Sequence, residues 1–161
     1  MPSYLMGMDI GTTGCKTILL DSSGSVAASN TQFYPMSTPK PSWAEQDPSD
    51  WWVAAVESIR HLLEESNISA EDIAGIGLTG QMHGLVMLDE QGQVIRPCIL
   101  WNDQRTVEQC QSVTEQLGLE VVIEHTGNQI LPGFTAPKIK WVAEHEPENF
   151  ERTAKILLPK D

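Results

Sequence analysis

The sequence predicts a layered α/β domain built on a mixed sheet. Residues 4–9, 16–21 and 25–31 are short, apolar, β-rich segments separated by Gly-Thr-Thr-Gly and by Ser22-Ser23-Gly24. Turns this short favour antiparallel neighbours. From residue 47 onward helical and extended patterns alternate, which layers helices on a sheet containing parallel strands. At 161 residues the chain is about one domain long, and a domain of that size buries roughly 70% of its unfolded surface.

Taken in order, Pro35 to Trp43 is Pro- and Ser-rich and reads as irregular loop. Asp47-Pro48-Ser49-Asp50 is a helix start: a capping aspartate, a proline at the first helical position and negative charge in the first turn. Trp52, Val56, Ile59 and Leu63 follow at helical spacing and predict one apolar face through about Ser66, with Trp51 and Trp52 both packed. Ile73 to Gly80 (IAGIGLTG) reads as a buried strand, residues 85–95 as a hairpin turning at Gly92, and residues 98–101 as a further strand. Asp103 to Leu117 reads as a helix ended by Gly118, and residues 136–145 as a shorter one stopped by Pro147. The acidic run from Glu144 to Glu151 reads as a solvated face. Residues 155–160 read as a core-type strand with no helix after it to cover it, which suggests a fragment of a longer chain.

A formal net charge of −12 argues against nucleic-acid or anionic-membrane partners, which need a basic face. A phosphate ligand must then be held by amides, a metal or single cations. Cys15, Cys98 and Cys110 are odd in number and lack CxxC spacing, which fits a reducing cytoplasm better than a disulfide or zinc framework. No signal-peptide pattern and no spanning apolar run are seen. Asn67-Ile68-Ser69 matches a glycosylation acceptor by letter only.

Three constellations carry chemistry. In Asp9-Ile10-Gly11-Thr12-Thr13-Gly14-Cys15-Lys16 the glycines allow close backbone approach, successive amides form an anion nest, and a carboxylate can hold Mg²⁺. A glycine-rich hairpin with a chance aspartate is the other reading. The stretch is not a P-loop, because Cys15 separates Gly14 from Lys16 and a strand follows. Gly80-Gln81-Met82-His83-Gly84 follows a strand, where ligands of α/β sheets gather. Its amide and imidazole suit sugar hydroxyls, or else satisfy loop backbone. Trp101-Asn102-Asp103-Gln104-Arg105 also lies at a strand end; it offers an indole, amide and carboxylate to a sugar, or simply a helix N-cap.

Six segments in the same order, MDIGTTGCK, WAEQDPSDWW, IGLTGQMHG, ILWNDQR, TGNQILPGFTAPK and ILLPKD, resemble the FGGY-type carbohydrate kinases, and the xylulokinases among them. The Met82-His83 pair is the pointer within the family, since glycerol kinases carry an Arg-Glu pair there. The resemblance implies a ribonuclease-H-like fold of the actin/hexokinase type. Residues 1–161 would be an incomplete N-terminal domain, the first of two clasping a cleft. It implies transfer of the γ-phosphoryl of MgATP to the 5-hydroxyl of D-xylulose, with a homodimer compatible with the longer enzyme. On it, Asp9 positions Mg²⁺ and phosphates, Gly11, Thr12 and Thr13 form the first phosphate loop, and Lys16 adds charge. Met82 and His83 match the sugar-binding pair, with Gln81, Trp101, Asn102 and Asp103 as neighbours in the pocket. The family's catalytic base, an aspartate in a glycine-rich segment of the second domain, and its adenine site fall beyond Asp161. The alternatives are a kinase of the same family for another pentulose or polyol, and a non-catalytic sugar- or phosphate-binding module.

Overall fold

The computed structural model describes residues 4–161. In chain order its elements are β1 (Tyr4–Ile10), β2 (Gly14–Leu20), β3 (Val26–Phe33), β4 (Glu45–Gln46), α1 (Pro48–Ser66), β5 (Ile73–Gly80), β6 (Val86–Leu88), β7 (Cys98–Ile99), α2 (Val107–Leu117), α3 (Leu119–Thr126), α4 (Thr135–His145), α5 (Pro147–Glu151) and β8 (Lys155–Leu157). They form two compact units. The first runs to Met36 and resumes over Asp47–Gln81 with Lys160; the second comprises Ser37–Gln46 and Met82–Pro159 with Asp161. No helix is long and apolar enough to cross a membrane among the described residues.

The first unit is the expected mixed sheet, ordered β3-β2-β1-β5. Both tight turns give antiparallel pairs, while β5 returns parallel to β1 after a crossover through α1. Alternation sorts the strands: Met6, Met8, Cys15, Thr17 and Leu19 point inward, whereas Leu5, Asp9 and Lys16 face outward. Helix α1 lies on the inward face, where Met6, Leu19 and Leu62 form the core with Ala28, Ile59 and Leu63 against them. Each such side chain contributes roughly 1.5–3 kcal/mol when buried. Within that apolar layer the Thr17 and Ser58 hydroxyls bond each other at 2.6 Å, so neither is left unsatisfied. The N-terminus of α1 is as expected, with Asp47 accepting from the Ser49 amide at 2.9 Å and Pro48 in the first turn.

Two expectations for this unit are corrected. The most buried residues of α1 are Trp51, Ala54, Ala55, Ser58 and Leu62; of the expected stripe Ile59 and Leu63 pack against the core, partly buried, and Trp52 does not. Trp51 is buried but Trp52 is 74% exposed. Ala54, Ala55 and Ser58 keep the packed face small, with Trp51 the one large aromatic on it. Strand β5 is not buried either: it is an edge strand, with Ile76 65% and Leu78 50% exposed.

The second unit has two small antiparallel sheets, β4 with β7 and β6 with β8. The hairpin after β6 turns at Gly92, whose φ is +76°, but its return limb makes only an isolated bridge, Leu88 to Val94. The expected core strand at residues 155–160 is the short β8, with Lys155 and Ile156 exposed. Helix α2 begins at Val107, later than expected, because Asp103 is committed elsewhere; Gly118 ends it at φ +84° and α3 starts at once. Pro147 does not only stop α4; it opens α5. The core here is Leu85, Met87, Ile99, Trp141 and Val142.

Leu62→Ala is expected to cost about 2–5 kcal/mol in urea denaturation of the protein, the range for emptying a well-packed leucine site. Trp52→Ala should stay within ~0.5 kcal/mol, and comparable losses for the two would mean that α1 packs by its other face. The 161-residue polypeptide on its own is expected to associate through its apolar edge strand β5. Light scattering should show that Ile76→Lys shifts it toward monomer; an unchanged mass would place the contact elsewhere.

Candidate active site

In the first unit, Asp9 is the next-to-last residue of β1, exposed, and directly across the ladder from Lys16 on β2. Asp9 and Lys16 therefore share the outer face of the sheet. There they line a shallow cavity of about 400 Å³ with Gly7, Ile18, Gly77 and Thr79. The loop between the strands is closed by the Gly11 amide donating to the Gly14 carbonyl at 3.1 Å. A Cβ on Gly14 would sit 2.6 Å from the Gln32 carbonyl oxygen, so only glycine fits the strand there.

The loop is braced by residues the sequence reading did not single out. Tyr34 is buried, donates its hydroxyl to the Gly11 carbonyl at 2.6 Å, and donates its amide to the Thr13 carbonyl at 3.4 Å. Burial pushes the Tyr34 pKa upward, so it remains the donor. A tyrosine after a strand carries no local signal for this, since its partner lies 23 residues away. Gln81 continues the β1–β5 ladder through its amide to Ile10, and its buried side chain accepts from the Thr12 hydroxyl at 3.3 Å. By this contact it braces the Gly11–Gly14 loop.

In the second unit Met82 is 50% exposed and His83 half-buried, with the His83 backbone left-handed at φ +61°. A non-glycine residue there costs of order 1–3 kcal/mol and persists only when its surroundings hold it. They do. The His83 carbonyl accepts from Lys138 Nζ at 2.7 Å and from Thr135 Oγ1 at 3.3 Å. The imidazole packs on Phe134 with ring centroids 4.7 Å apart. Gly84 is enclosed: a Cβ would meet Pro159 Cγ at 2.6 Å and Cys98 Sγ at 2.9 Å. Burial, with Lys138 adding to it, lowers the His83 pKa below the usual 6.5, so the ring is neutral at neutral pH.

Lys138 is fully buried on the first turn of α4, and its Nζ also donates to the Gly133 carbonyl at 2.7 Å. Burial pulls its pKa down to about 8. Gly133 in turn lies against the Trp101 backbone, where a Cβ would come within 2.6 Å of the carbonyl oxygen. The loops holding His83, Gly133 and Trp101 are thus neighbours. Trp101 is 39% exposed and Asn102 half-buried.

Asp103 departs from expectation. It is completely buried, and its carboxylate accepts from the Ala44 amide at 2.7 Å and from the Arg105 backbone and guanidinium at 2.7–2.9 Å. Both oxygens are engaged, so Asp103 neither caps α2 nor presents a carboxylate to a sugar; it fixes the loop that carries Trp101 and Asn102. Arg105 also pairs with Glu45 at 2.8 Å and lies 3.7 Å over the Trp43 ring. Arg96 bonds Glu45 at 2.6 Å and Glu146 at 2.9 Å. Glu146 therefore sits in this network and not on the solvated acidic face expected of it.

Residues 4–161 match the model of the FGGY family of carbohydrate kinases, N-terminal domain. The chain is 48% identical over 158 residues to a xylulose kinase of Bacillus subtilis (strain 168), covering 98% of this chain and 32% of that protein. It is 45% identical to the xylulose kinase of Escherichia coli (strain K12), covering 97% of this chain and 31% of that one. A solved structure described as a xyloylose kinase from Brucella ovis superposes with a TM-score of 0.93 at 40% identity, over 98% of this chain and 33% of that chain. The chain thus spans about a third of the length of the proteins it resembles. With the mixed β3-β2-β1-β5 sheet and a family match over all described residues, the chain belongs to the FGGY family of carbohydrate kinases, whose fold is of the ribonuclease-H-like, actin/hexokinase type.

Proposed function

We propose that this chain is the N-terminal part of a longer, ATP-dependent xylulokinase that transfers the γ-phosphoryl of ATP to the 5-hydroxyl of D-xylulose. One observation supports it most: an exposed Asp9 carboxylate beside a closed Gly11–Gly14 loop in which Gly14 has no room for a side chain. That combination suits a polyanion carrying a hard cation. Xylulose as acceptor is supported by the relatives at 48% and 45% identity, both xylulose kinases.

The donor set fits Mg²⁺. Among the described residues no three His, Cys, Asp or Glu side chains group to hold a metal by themselves, and Mg²⁺ on polyphosphate needs only one or two carboxylates plus the phosphates and water. Asp9 would hold it, through water, and the bound ion would offset charge developing on the transferred group. The chain's own residues do the rest. Gly11, Thr12 and Thr13 form the loop that receives the phosphates, the Gly11 amide closing it onto the Gly14 carbonyl; Lys16 adds positive charge, and Tyr34 and Gln81 keep the loop in shape. In the second unit, Met82 and His83 with Trp101 and Asn102 receive the sugar, the neutral imidazole accepting from or donating to a hydroxyl. Asp103 and Gln81 act behind these surfaces. The proton acceptor for the sugar hydroxyl lies outside this chain on this reading.

Steady-state kinetics of the full-length protein test the assignment. Asp9→Ala is expected to lower kcat by roughly 100-fold or more, as loss of phosphate positioning does, with little change in the KM for sugar. His83→Ala should raise that KM by about tenfold, the cost of a lost buried hydrogen bond, at nearly constant kcat. The reverse pattern would mean the two sites are exchanged. Ready phosphorylation of D-ribulose or glycerol with none of D-xylulose would replace the substrate. Because the His83 pKa is depressed, the KM for sugar should be flat above pH 6.5 and rise only below it as the ring takes a proton. A rise that begins above pH 6.5 would assign the titration to another group.

A further inference from the structure

Lys138 is the one lysine among the described residues with no exposed surface, and neither of its 2.7 Å hydrogen bonds goes to a carboxylate. A buried ammonium is ordinarily matched by an acid. Here it is matched by two main-chain carbonyls, of His83 and Gly133. They belong to two separate loops, and the first belongs to the only histidine of the described chain with a positive φ. The arrangement joins a strained backbone to a donor from a different element.

Resting on the assignment of His83 to the sugar site, we propose that Lys138 is a positioning residue for sugar recognition: its ammonium holds the left-handed turn at His83 and thereby aims the imidazole. The geometry supports this in three ways. In the left-handed conformation the His83 carbonyl needs a partner, and Lys138 and Thr135, both from the first turn of α4, supply it. Phe134, the residue just before α4, packs on the imidazole, so the same helix start fixes both the backbone and the ring. Gly133, whose carbonyl takes the second Lys138 bond, lies against the Trp101 backbone. One side chain thus sets the spacing between the loop bearing His83 and the loop bearing Trp101. The next residue, Gly84, has no room for a side chain against Pro159 and Cys98.

The test is a double-mutant cycle on the full-length protein, with D-xylulose and MgATP varied in turn. Lys138→Met, similar in length but without donors, is expected to raise the KM for D-xylulose by about tenfold, the scale of one lost hydrogen bond to a buried carbonyl. The KM for MgATP should not move. Combined with His83→Ala, it should add almost nothing to the effect of His83→Ala alone, because Lys138 acts through His83. Thr135→Val, which removes the longer 3.3 Å bond, should move the KM for D-xylulose in the same direction by roughly twofold; it decides the matter if Lys138→Met does not fold. An additive double mutant, or a lowered melting temperature with both KM values unchanged, would overturn the proposal while leaving the sugar site intact. If His83→Ala itself leaves the KM for every sugar unchanged, the site assignment fails and the proposal fails with it.

Discussion

The second unit is organised around a guanidinium that has been taken out of water. Arg105 lies against both rings of the edge-to-face pair Trp43 and Trp141, with ring centroids 3.7 and 4.9 Å away, and its side chain is 1% exposed. An isolated charge in such a place would be costly, so the fold must bring carboxylates to it. Asp103 comes from two residues upstream and Glu45 from the distant strand β4, and Glu45 in turn binds Arg96, which binds Glu146. Through these pairs four separated segments are registered against one another. The same demand uses up Asp103. Removing one member of a buried pair leaves the other uncompensated at about 3–5 kcal/mol, so an Asp103 substitution probes the frame and says nothing about a sugar contact.

The first unit solves a different problem with neutral groups. Its sheet ends in the Gly11–Gly14 loop, closed by its own backbone bond, and the polar atoms beneath it need partners. Tyr34 satisfies the Gly11 carbonyl and Gln81 meets Thr12. Ser58 of α1 bonds Thr17, two residues past Cys15 on the same face of β2. The helix that covers the sheet is thus also tied, by a hydroxyl pair, to the strand that begins at Gly14. Glycine at Gly14 follows from the 2.6 Å approach of the Gln32 carbonyl, a steric fact and not a matter of flexibility.

The strand–turn–strand opening, the α1 cap and the Asp9-to-Gly14 loop were legible in the sequence because each is local: a few residues contain the whole cause. The phase of α1 was not. Trp52-Val56-Ile59-Leu63 and Trp51-Ala54-Ala55-Ser58-Leu62 are both helical stripes one step apart, and hydrophobicity favours the first. Only tertiary packing separates them: Trp51 and Leu62 are buried, Ile59 and Leu63 lie at the margin of the core, and Trp52 is exposed. The burial of β5 was misjudged for a related reason: an apolar run fits both a central strand and an edge, and only the pairing order separates them. The partners of Asp103 and Lys138 were not legible because they are distant in sequence. Asp103 reaches Ala44 across 59 residues and Lys138 reaches His83 across 55.

These burials bear on how a chain with a net charge of −12 could handle phosphate. It has ten lysines and arginines, and Arg96, Arg105 and Lys138 are enclosed in the second unit. Those three are thus withdrawn from any ligand at the surface. The first unit offers Lys16 on its outer face, and opposite it stands a carboxylate, Asp9, which by itself repels an anion. An acidic residue at the mouth of an amide-lined loop makes electrostatic sense only if a cation comes with the ligand. The amides can then supply direction while the ion supplies charge. Seen this way, the acidic composition and the Asp9 loop are one constraint. On the proposed reading both favour a phosphate that arrives paired with a metal, while the enclosed cations shape loops of the second unit.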